Sequence, residues 1–322
     1  MAEPLYSPEY VDGAHAVIKD HLLPRLAAAG PDLTAEDVVS VLRPVKGHPM
    51  AKASLEMAIL DGDLREQGRS LAGYLGADRV LVPAGVAVGI EDSLNALVDV
   101  VARRVEEGYV RVKLKIGPGW DIEAVAAVRK TFPDLALQVD ANSAYTLSDA
   151  DHLARLDRYG LLLIEQPLAE DDLPGHATLA SLISTPICLD ESITSAAVAA
   201  DAVDRGACSV VNIKAGRLGG YLEAKRVHDL CVERGVPVWC GGMLETGLGR
   251  AANAALAALP GFTLPGDLSA SERYFRRDVT EPFVLEEGHI RVPDGPGIGV
   301  EPIPEILDQM TVSMEEFPFP PS

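Results

Sequence analysis

Five charged residues follow short apolar runs at nearly equal intervals along the middle of the chain. They are Lys115, Asp140, Glu165, Asp190 and Lys214, separated by 25, 25, 25 and 24 residues. A segment of this length holds one strand and one returning helix, the repeating unit of a parallel α/β fold. If these units close into a barrel, we expect the five side chains to meet at its mouth, where barrel enzymes carry out their chemistry.

The three carboxylates among the five are suited to a hard divalent cation. Asp140, Glu165 and Asp190 offer oxygen ligands from three successive strands, with no His or Cys among them. This donor set favours Mg²⁺, with Mn²⁺ or Co²⁺ as substitutes. Glu191 is the rival of Asp190 for the third ligand, and the regular spacing favours Asp190.

The two lysines flank the carboxylates in strand order. A carboxylate substrate bound to the ion would have Lys115 on one side and Lys214 on the other. This arrangement suits removal of the proton next to the substrate carboxylate, with the ion stabilising the enediolate that forms. A lysine base needs a pKa below its ordinary value of about 10.4. Lys113 and Arg217 are expected to lower the pKa values of their lysine neighbours.

Strand alternation adds further members to the candidate site. Side chains two residues apart on a strand face the same way. The set therefore gains Lys113, Asn142 and Asn212. For any single position a barrel-interior salt bridge is the alternative interpretation, because buried lysines are costly unless they are paired or functional. The regular spacing of five such positions favours a functional site over a set of structural salt bridges.

The secondary structure that positions these residues is predicted to be helical in the N-terminal part of the chain and to alternate between strand and helix after it. Apolar residues recur at helical spacing within residues 8–76. Eight strands are predicted near residues 84–89, 109–116, 135–140, 161–165, 186–190, 209–214, 236–240 and 262–265, and this alternation predicts an α/β barrel. Residues 283–292 look like a hairpin, but no strand is predicted before residue 80 to pair with it.

Composition narrows the class of protein. The formal net charge of −20 repels nucleic-acid phosphates and anionic membrane surfaces. No apolar stretch reaches the length of a membrane span, and the first residues show no secretory signal. We therefore expect a cytoplasmic protein that acts on a small-molecule carboxylate, without nucleic acid or membrane partners, and that forms a homo-oligomer.

Several motifs in order resemble those of a known family. They are Lys113-Leu114-Lys115, Gln138-Val139-Asp140-Ala141-Asn142, Leu163-Ile164-Glu165-Gln166-Pro167, Cys188-Leu189-Asp190-Glu191-Ser192, Lys214, the segment Gly241–Gly247 and the segment Leu264–Asp267. From about Tyr6 to about Pro304, the chain resembles the o-succinylbenzoate synthase / N-acylamino-acid racemase family of the enolase superfamily, in its muconate-lactonising-enzyme subgroup. In the family pattern, Lys113, Lys115 and Lys214 are catalytic, and the three carboxylates bind the metal.

The resemblance implies a modified TIM barrel, (β/α)7β, with an α+β capping domain. Residues 1–79 would form the helical part of the cap, 80–279 the catalytic barrel, and 280–322 the return to the cap. The family's cap opens with antiparallel strands and a mobile loop. This chain starts after them, so we expect a cap that is truncated at its N-terminus and a hairpin left without its partners.

The resemblance also implies two activities that share a metal-bound enediolate. One is a dehydration that yields o-succinylbenzoate for menaquinone biosynthesis, which needs Lys115 as the base and Lys214 as a cation. The other is racemisation of N-acylamino acids, in which both lysines exchange roles. Arg217 resembles the racemase-capable branch. Gly242, Met243 and Glu245 are expected near the substrate or its supporting residues. A non-catalytic relative that binds a carboxylate ligand or a partner remains the alternative.

Overall fold

Seven parallel strands form one curled sheet at the centre of the molecule. The structure is a computed structural model that describes residues 2–317. A short strand, β1 (Leu81–Pro83), precedes the sheet. The sheet strands are β2 (Gly85–Val88), β3 (Arg111–Lys115), β4 (Leu137–Asp140), β5 (Ile164–Glu165), β6 (Ile187–Leu189), β7 (Val210–Ile213) and β8 (Val238–Cys240). They neighbour one another in chain order, which confirms the predicted parallel α/β fold.

The segment after β8 closes the barrel without forming the predicted eighth strand. Thr263 and Asp267 donate backbone hydrogen bonds to carbonyls of β8, while Gly266 exchanges backbone hydrogen bonds with the β1–β2 segment. These contacts are isolated bridges. The prediction of a strand at 262–265 is therefore wrong in detail. Pro265 has no N–H to donate, so a continuous ladder cannot run through this segment.

The N-terminal helices pack into a small layer with its own core. They are α1 (Val11–Val17), a π-helical turn (Ile18–Leu22), α2 (Leu23–Ala29), α3 (Ala35–Leu42), α4 (Pro49–Glu66) and α5 (Leu71–Leu75). The core of this layer contains Leu22, Leu26 and Leu42. Thr34 and Asp37 form a capping box that starts α3. The long helix α4 packs on the helical turn that follows β7.

The remaining helices cover the outside of the barrel or follow it. They are α6 (Leu94–Glu106), α7 (Ile122–Thr131), α8 (Ala150–Leu153), α9 (Leu173–Leu182), α10 (Ala196–Asp204), α11 (Ala215–Leu218), α12 (Tyr221–Glu233), α13 (Gly247–Ala257) and α14 (Pro304–Met310). Ser93 caps α6 by accepting the Ala96 N–H, and Leu97 and Val101 on this helix are fully buried. No helix within residues 2–317 is long and apolar enough to cross a membrane.

The predicted C-terminal hairpin forms only in part and has a partner. Glu286 and His289 exchange two backbone hydrogen bonds around a turn, and β9 (His289–Arg291) pairs antiparallel with β1. Strand β1 is only three residues long and was not predicted. The expectation of a hairpin without a partner strand is therefore wrong. Residues 318–322 of the predicted third segment lie outside the described residues.

Candidate active site

Lys113, on β3, points into the barrel and is surrounded by carboxylates. Its ammonium group lies 2.9 Å from Glu165 Oε2, 3.3 Å from Asp140 Oδ2 and 2.7 Å from Asp267 Oδ2. It also lies 4.8 Å from the centre of the Trp239 ring. Burial alone would lower the pKa of Lys113, but the three negative charges outweigh it and raise the pKa well above its usual value. Lys113 is therefore a cation at neutral pH.

Lys115 ends β3 at the mouth of the barrel. Its ammonium group donates to Asp140 Oδ2 at 2.6 Å and to Asn142 Oδ1 at 2.5 Å. Asn142 has a positive φ of 40° and donates from Nδ2 to Glu191 Oε1 at 2.8 Å. The Lys115 side chain keeps one third of its surface exposed, unlike the fully enclosed Lys113. Solvent and a substrate can therefore reach Lys115.

Lys214, directly after β7, is held from two sides. Its ammonium group donates to Asp190 Oδ2 at 2.6 Å and to the Tyr6 hydroxyl at 2.8 Å. Arg217 Nη2 donates to the same hydroxyl at 2.9 Å, and Arg217 Nε lies 3.5 Å from Asp190 Oδ1. The side chains of Lys214, Asp190, Tyr6 and Arg217 form a compact network. It lies at the ends of β6 and β7, whereas the contacts of Lys115 lie at the ends of β3 and β4.

The expected lowering of the Lys214 pKa is wrong in this structure. Burial does act to lower the pKa of Lys214, but the nearby carboxylates Asp190 and Glu165 act against it, and the pKa is raised. Arg217 lies near Lys214 in the chain, but the carboxylates that decide the sign come from other strands. As placed, Lys214 is a cation paired with Asp190.

The three predicted metal ligands are buried on neighbouring strands. Asp140 lies opposite Glu165 in the strand register, and Asp190 follows β6. All three are at most 1% exposed. Asn212 Nδ2 donates to Glu165 Oε1 at 2.8 Å. Burial, together with the charges of Asp140 and Asp190, raises the pKa of Glu165 to about 8. This mutual repulsion is what a divalent cation would relieve.

Carboxylate oxygens are suitable ligands for a divalent cation, but these three carboxylates are not arranged to coordinate one ion in this structure. Asp190 Oδ1 is buried and has no hydrogen-bond partner within residues 2–317. However, no three His, Cys, Asp or Glu side chains in this range stand close enough to hold an ion as they are placed. The ammonium groups of Lys113, Lys115 and Lys214 bond to the carboxylate oxygens instead. A bound ion must therefore compete with these lysines.

The loop after β8 forms one wall of a cavity of about 740 Å³ above the lysines. A Cβ on Gly242 would lie 2.3 Å from the Asp267 carbonyl oxygen, so only glycine fits there. Glu245 Oε1 accepts hydrogen bonds from the Met243 N–H at 2.6 Å and from Asn253 Nδ2 at 3.0 Å. Glu245 thus holds the loop that carries Met243 into the cavity.

Three further residues of this site had no predicted role, although Asp267 ends the motif segment Leu264–Asp267. Tyr6 binds both Lys214 and Arg217, and Asp267 bridges Lys113 and Arg111. The fully buried Arg111 precedes Lys113 by two residues on the same strand face. This alternation could have identified Arg111, because an Arg-x-Lys-x-Lys pattern places three cations on one face. Tyr6 belongs to no periodic pattern.

A parallel α/β barrel with paired lysines and carboxylates at its strand ends, covered by helices, defines an enzyme of the enolase type. Residues 96–306 match the family described as enolase C-terminal domain-like. The chain belongs to this family and to the enolase superfamily, whose members depend on a divalent metal ion.

The relatives place the chain within a particular branch of that superfamily. An N-succinylamino acid racemase from Amycolatopsis sp is 63% identical over 97% of this chain and 85% of its own length. An o-succinylbenzoate synthase from Geobacillus stearothermophilus is 50% identical over 94% of this chain and 80% of its own. A crystal structure of an enolase-superfamily member from Enterococcus faecalis V583 superposes with a TM-score of 0.90 at 44% identity, covering 96% and 84% of the two chains. The protein is therefore an enzyme of the o-succinylbenzoate synthase / N-acylamino-acid racemase family.

Proposed function

We propose that the protein removes the proton α to a carboxylate and acts as an N-acylamino-acid racemase, an o-succinylbenzoate synthase, or both. The observation that carries the proposal is the pairing of two lysines with carboxylates of different strands. Lys115 bonds to Asp140 and Lys214 bonds to Asp190, and Glu165 lies on the strand between these two acids. Two amines can thereby approach one substrate from two sides.

Asp140, Glu165 and Asp190 are the proposed ligands of the divalent ion, with Mg²⁺ as the natural choice. Three carboxylates and no softer ligand suit a hard cation of this kind. When bound, the ion would stabilise the negative charge that develops on the substrate carboxylate. Lys113 would stay a cation below the ligands, because it contacts Glu165, Asp140 and Asp267 at once.

The chain's own residues supply the proton transfers in this proposal. Lys115, the more exposed lysine, would take the α proton from one face of the substrate. Lys214 would either return a proton to the opposite face, which gives racemisation, or remain a cation beside the intermediate. In the second case the substrate C–O bond would break and the hydroxyl would leave as water with the proton held by Lys115, which gives dehydration. The cavity between the N-terminal helices and the barrel would hold the substrate away from water, with residues 1–79 as the cap and 80–279 as the barrel.

Racemisation is the activity that we favour. It requires Lys214 to be placed as accurately as Lys115, and Lys214 is held by Asp190 and by the Tyr6 hydroxyl that it shares with Arg217. The 63% identity to a protein named N-succinylamino acid racemase also supports this choice. Dehydration to o-succinylbenzoate remains the second candidate because of the 50% identity to a synthase of that name.

The two candidates are separated by assaying one preparation on two substrates with Mg²⁺ present. Formation of the D-enantiomer from an N-succinyl-L-amino acid would support the racemase. Formation of o-succinylbenzoate from its cyclohexadiene precursor would support the synthase. If neither product forms with any of Mg²⁺, Mn²⁺ and Co²⁺, the proposal is wrong.

A further inference from the structure

Glu56 is a fully buried carboxylate that belongs to no contact of the candidate active site. It lies on α4. Its two oxygens accept the backbone N–H groups of Tyr221 at 3.0 Å and Leu222 at 2.8 Å, the first residues of α12. Because the carboxylate has no exposed surface, these hydrogen bonds fix α4 and the start of α12 to each other.

The structure around Gly220 is shaped to admit this carboxylate. Gly220 has a φ of 148°, and a Cβ at this position would lie 2.5 Å from the carboxyl carbon of Glu56. The chain between Lys214 and Gly220 consists of α11, which carries Arg217, and Gly219. Anchoring the start of α12 therefore also anchors the short segment that leaves Lys214.

The start of α4 reaches Lys214 by another route. The Glu9 carboxylate accepts the N–H groups of Met50 at 2.7 Å and Ala51 at 3.0 Å, at the start of α4. Tyr6, three residues before Glu9, accepts the hydrogen bond from Lys214. Helix α4 is thus hydrogen-bonded both to the start of α12, which follows Lys214 and α11, and to the N-terminal segment that carries Tyr6, the hydroxyl partner of Lys214.

Lys115 has no such attachment among the described residues. Its two hydrogen-bond partners, Asp140 and Asn142, belong to β4 and the following loop. Asn142 is held in turn by Glu191 in the loop after β6. The position of Lys115 is therefore set within the barrel, whereas the position of Lys214 also depends on a helix that packs outside it.

We propose that Glu56 is a positioning residue that sets the place of Lys214, and through it the chemistry on one face of the substrate only. This inference rests on the proposed two-lysine function. Loss of the anchor displaces Lys214 and leaves Lys115 where it is. Racemisation, which uses both lysines as acid and base, then suffers more than dehydration, which uses Lys214 only as a cation.

The test is α-proton exchange in D₂O with Mg²⁺, measured separately on the L and D forms of an N-succinylamino acid. A Lys214→Ala variant identifies the enantiomer whose proton Lys214 removes. In Glu56→Gln, exchange of that enantiomer is expected to fall about 10-fold or more, since small misplacements of a catalytic group have large effects. Exchange of the other enantiomer should stay within about threefold of wild type.

The two exchange rates are measured on one enzyme preparation, so their ratio does not depend on the folded fraction. Gly220→Ala breaks the same contact from the barrel side and should change the ratio in the same direction. Asp157→Asn is the matched control, because Asp157 also accepts two backbone N–H groups, those of Ser184 and Thr185, far from the site. It should leave the ratio at the wild-type value.

Equal losses for both enantiomers in Glu56→Gln, or no loss for either, would overturn the role of Glu56 while leaving the proposed function intact. Absence of exchange in the wild-type protein, with both enantiomers and Mg²⁺, would overturn the proposed racemase activity and this inference together, and would leave the synthase as the one remaining candidate.

Discussion

Lys214 donates a hydrogen bond to the hydroxyl of Tyr6 at 2.8 Å, although the two residues are 208 positions apart in the chain. The Lys214 ammonium group also lies 5.4 Å from the centre of the Tyr6 ring. The contact joins the N-terminal segment to the strand end that carries the second lysine. It makes the helical layer a direct participant in the site.

Replacing Tyr6 with Phe should weaken catalysis by removing this shared acceptor. Lys214 and Arg217 would each lose one hydrogen bond while the ring packing stays. We expect kcat to fall by about 10-fold, corresponding to about 1.4 kcal/mol, with a smaller change in KM. Steady-state kinetics of racemisation measure this effect.

Tyr74→Phe is the matched control, because it removes a hydroxyl that bonds to Glu36 away from the cavity. Its kcat should equal that of wild type. An unchanged kcat in Tyr6→Phe would show that the Tyr6 hydroxyl is dispensable.

Asp190→Asn should weaken divalent-ion binding much more than Glu191→Gln. Asp190 is fully buried and belongs to the regular series of strand ends, whereas Glu191 is hydrogen-bonded to Asn142. We expect Mg²⁺ affinity to fall by about 10- to 100-fold in Asp190→Asn, the scale seen when groups around a metal are changed. Titration calorimetry with Mg²⁺ measures both variants.

The two substitutions are neighbours in the chain and change the same functional group, so each serves as the control for the other. A larger loss in Glu191→Gln would identify Glu191 as the ligand. Removing the ion from wild type with a chelator should abolish activity, and adding Mg²⁺ should restore it.

Asp267→Asn should destabilise the fold strongly. Asp267 bonds to the buried cations Arg111 at 2.8 Å and Lys113 at 2.7 Å. Breaking a buried pair typically costs about 3–5 kcal/mol of unfolding free energy, because a buried charge is left without compensation. Chemical denaturation measures the change, and Asp201→Asn, which removes a surface pair with Arg205, should change stability far less.

The acid dependence of stability should change in the same Asp267→Asn variant. Burial acts to raise the pKa of Asp267, but Lys113 and Arg111 outweigh it and lower the pKa. The stability that this carboxylate contributes is therefore complete above the ordinary Asp pKa of about 3.9, and is lost as the pH falls below it. Unfolding free energies measured between about pH 5 and 3 should fall less in the variant than in wild type. An equal fall in both would contradict the low pKa.

The strand ends were predictable from the sequence because each unit of the barrel repeats one strand and one helix. That period located Lys115, Asp140 and Lys214, and alternation added Asn142 and Asn212. The eighth strand was not predictable in detail, since Pro265 removes a donor and the chain crosses between two strands. The strand β1 has only three residues, too few for a period to show.

The contacts of Tyr6 and Glu56 could not be predicted, because they join irregular or distant segments and depend on how the helices pack on the barrel. The direction of the Lys214 pKa was mistaken for a related reason. Chain neighbours such as Arg217 are visible in the sequence. The fold decides which buried carboxylates surround the amine, and Asp190 and Glu165 together raise the Lys214 pKa against the opposing effect of burial.

The central claim is that Lys115 and Lys214 move protons on opposite faces of one substrate carbon. The most direct measurement is NMR of the L and D forms of an N-succinylamino acid, each incubated separately with the enzyme and Mg²⁺ in D₂O, using wild type and the single variants Lys115→Ala and Lys214→Ala. We predict that wild type forms α-deuterated D-product. Each variant should lose racemisation while retaining α-exchange of only one enantiomer, and the two variants should retain opposite enantiomers. Retention of the same enantiomer by both variants, or racemisation that survives either substitution, would contradict the account.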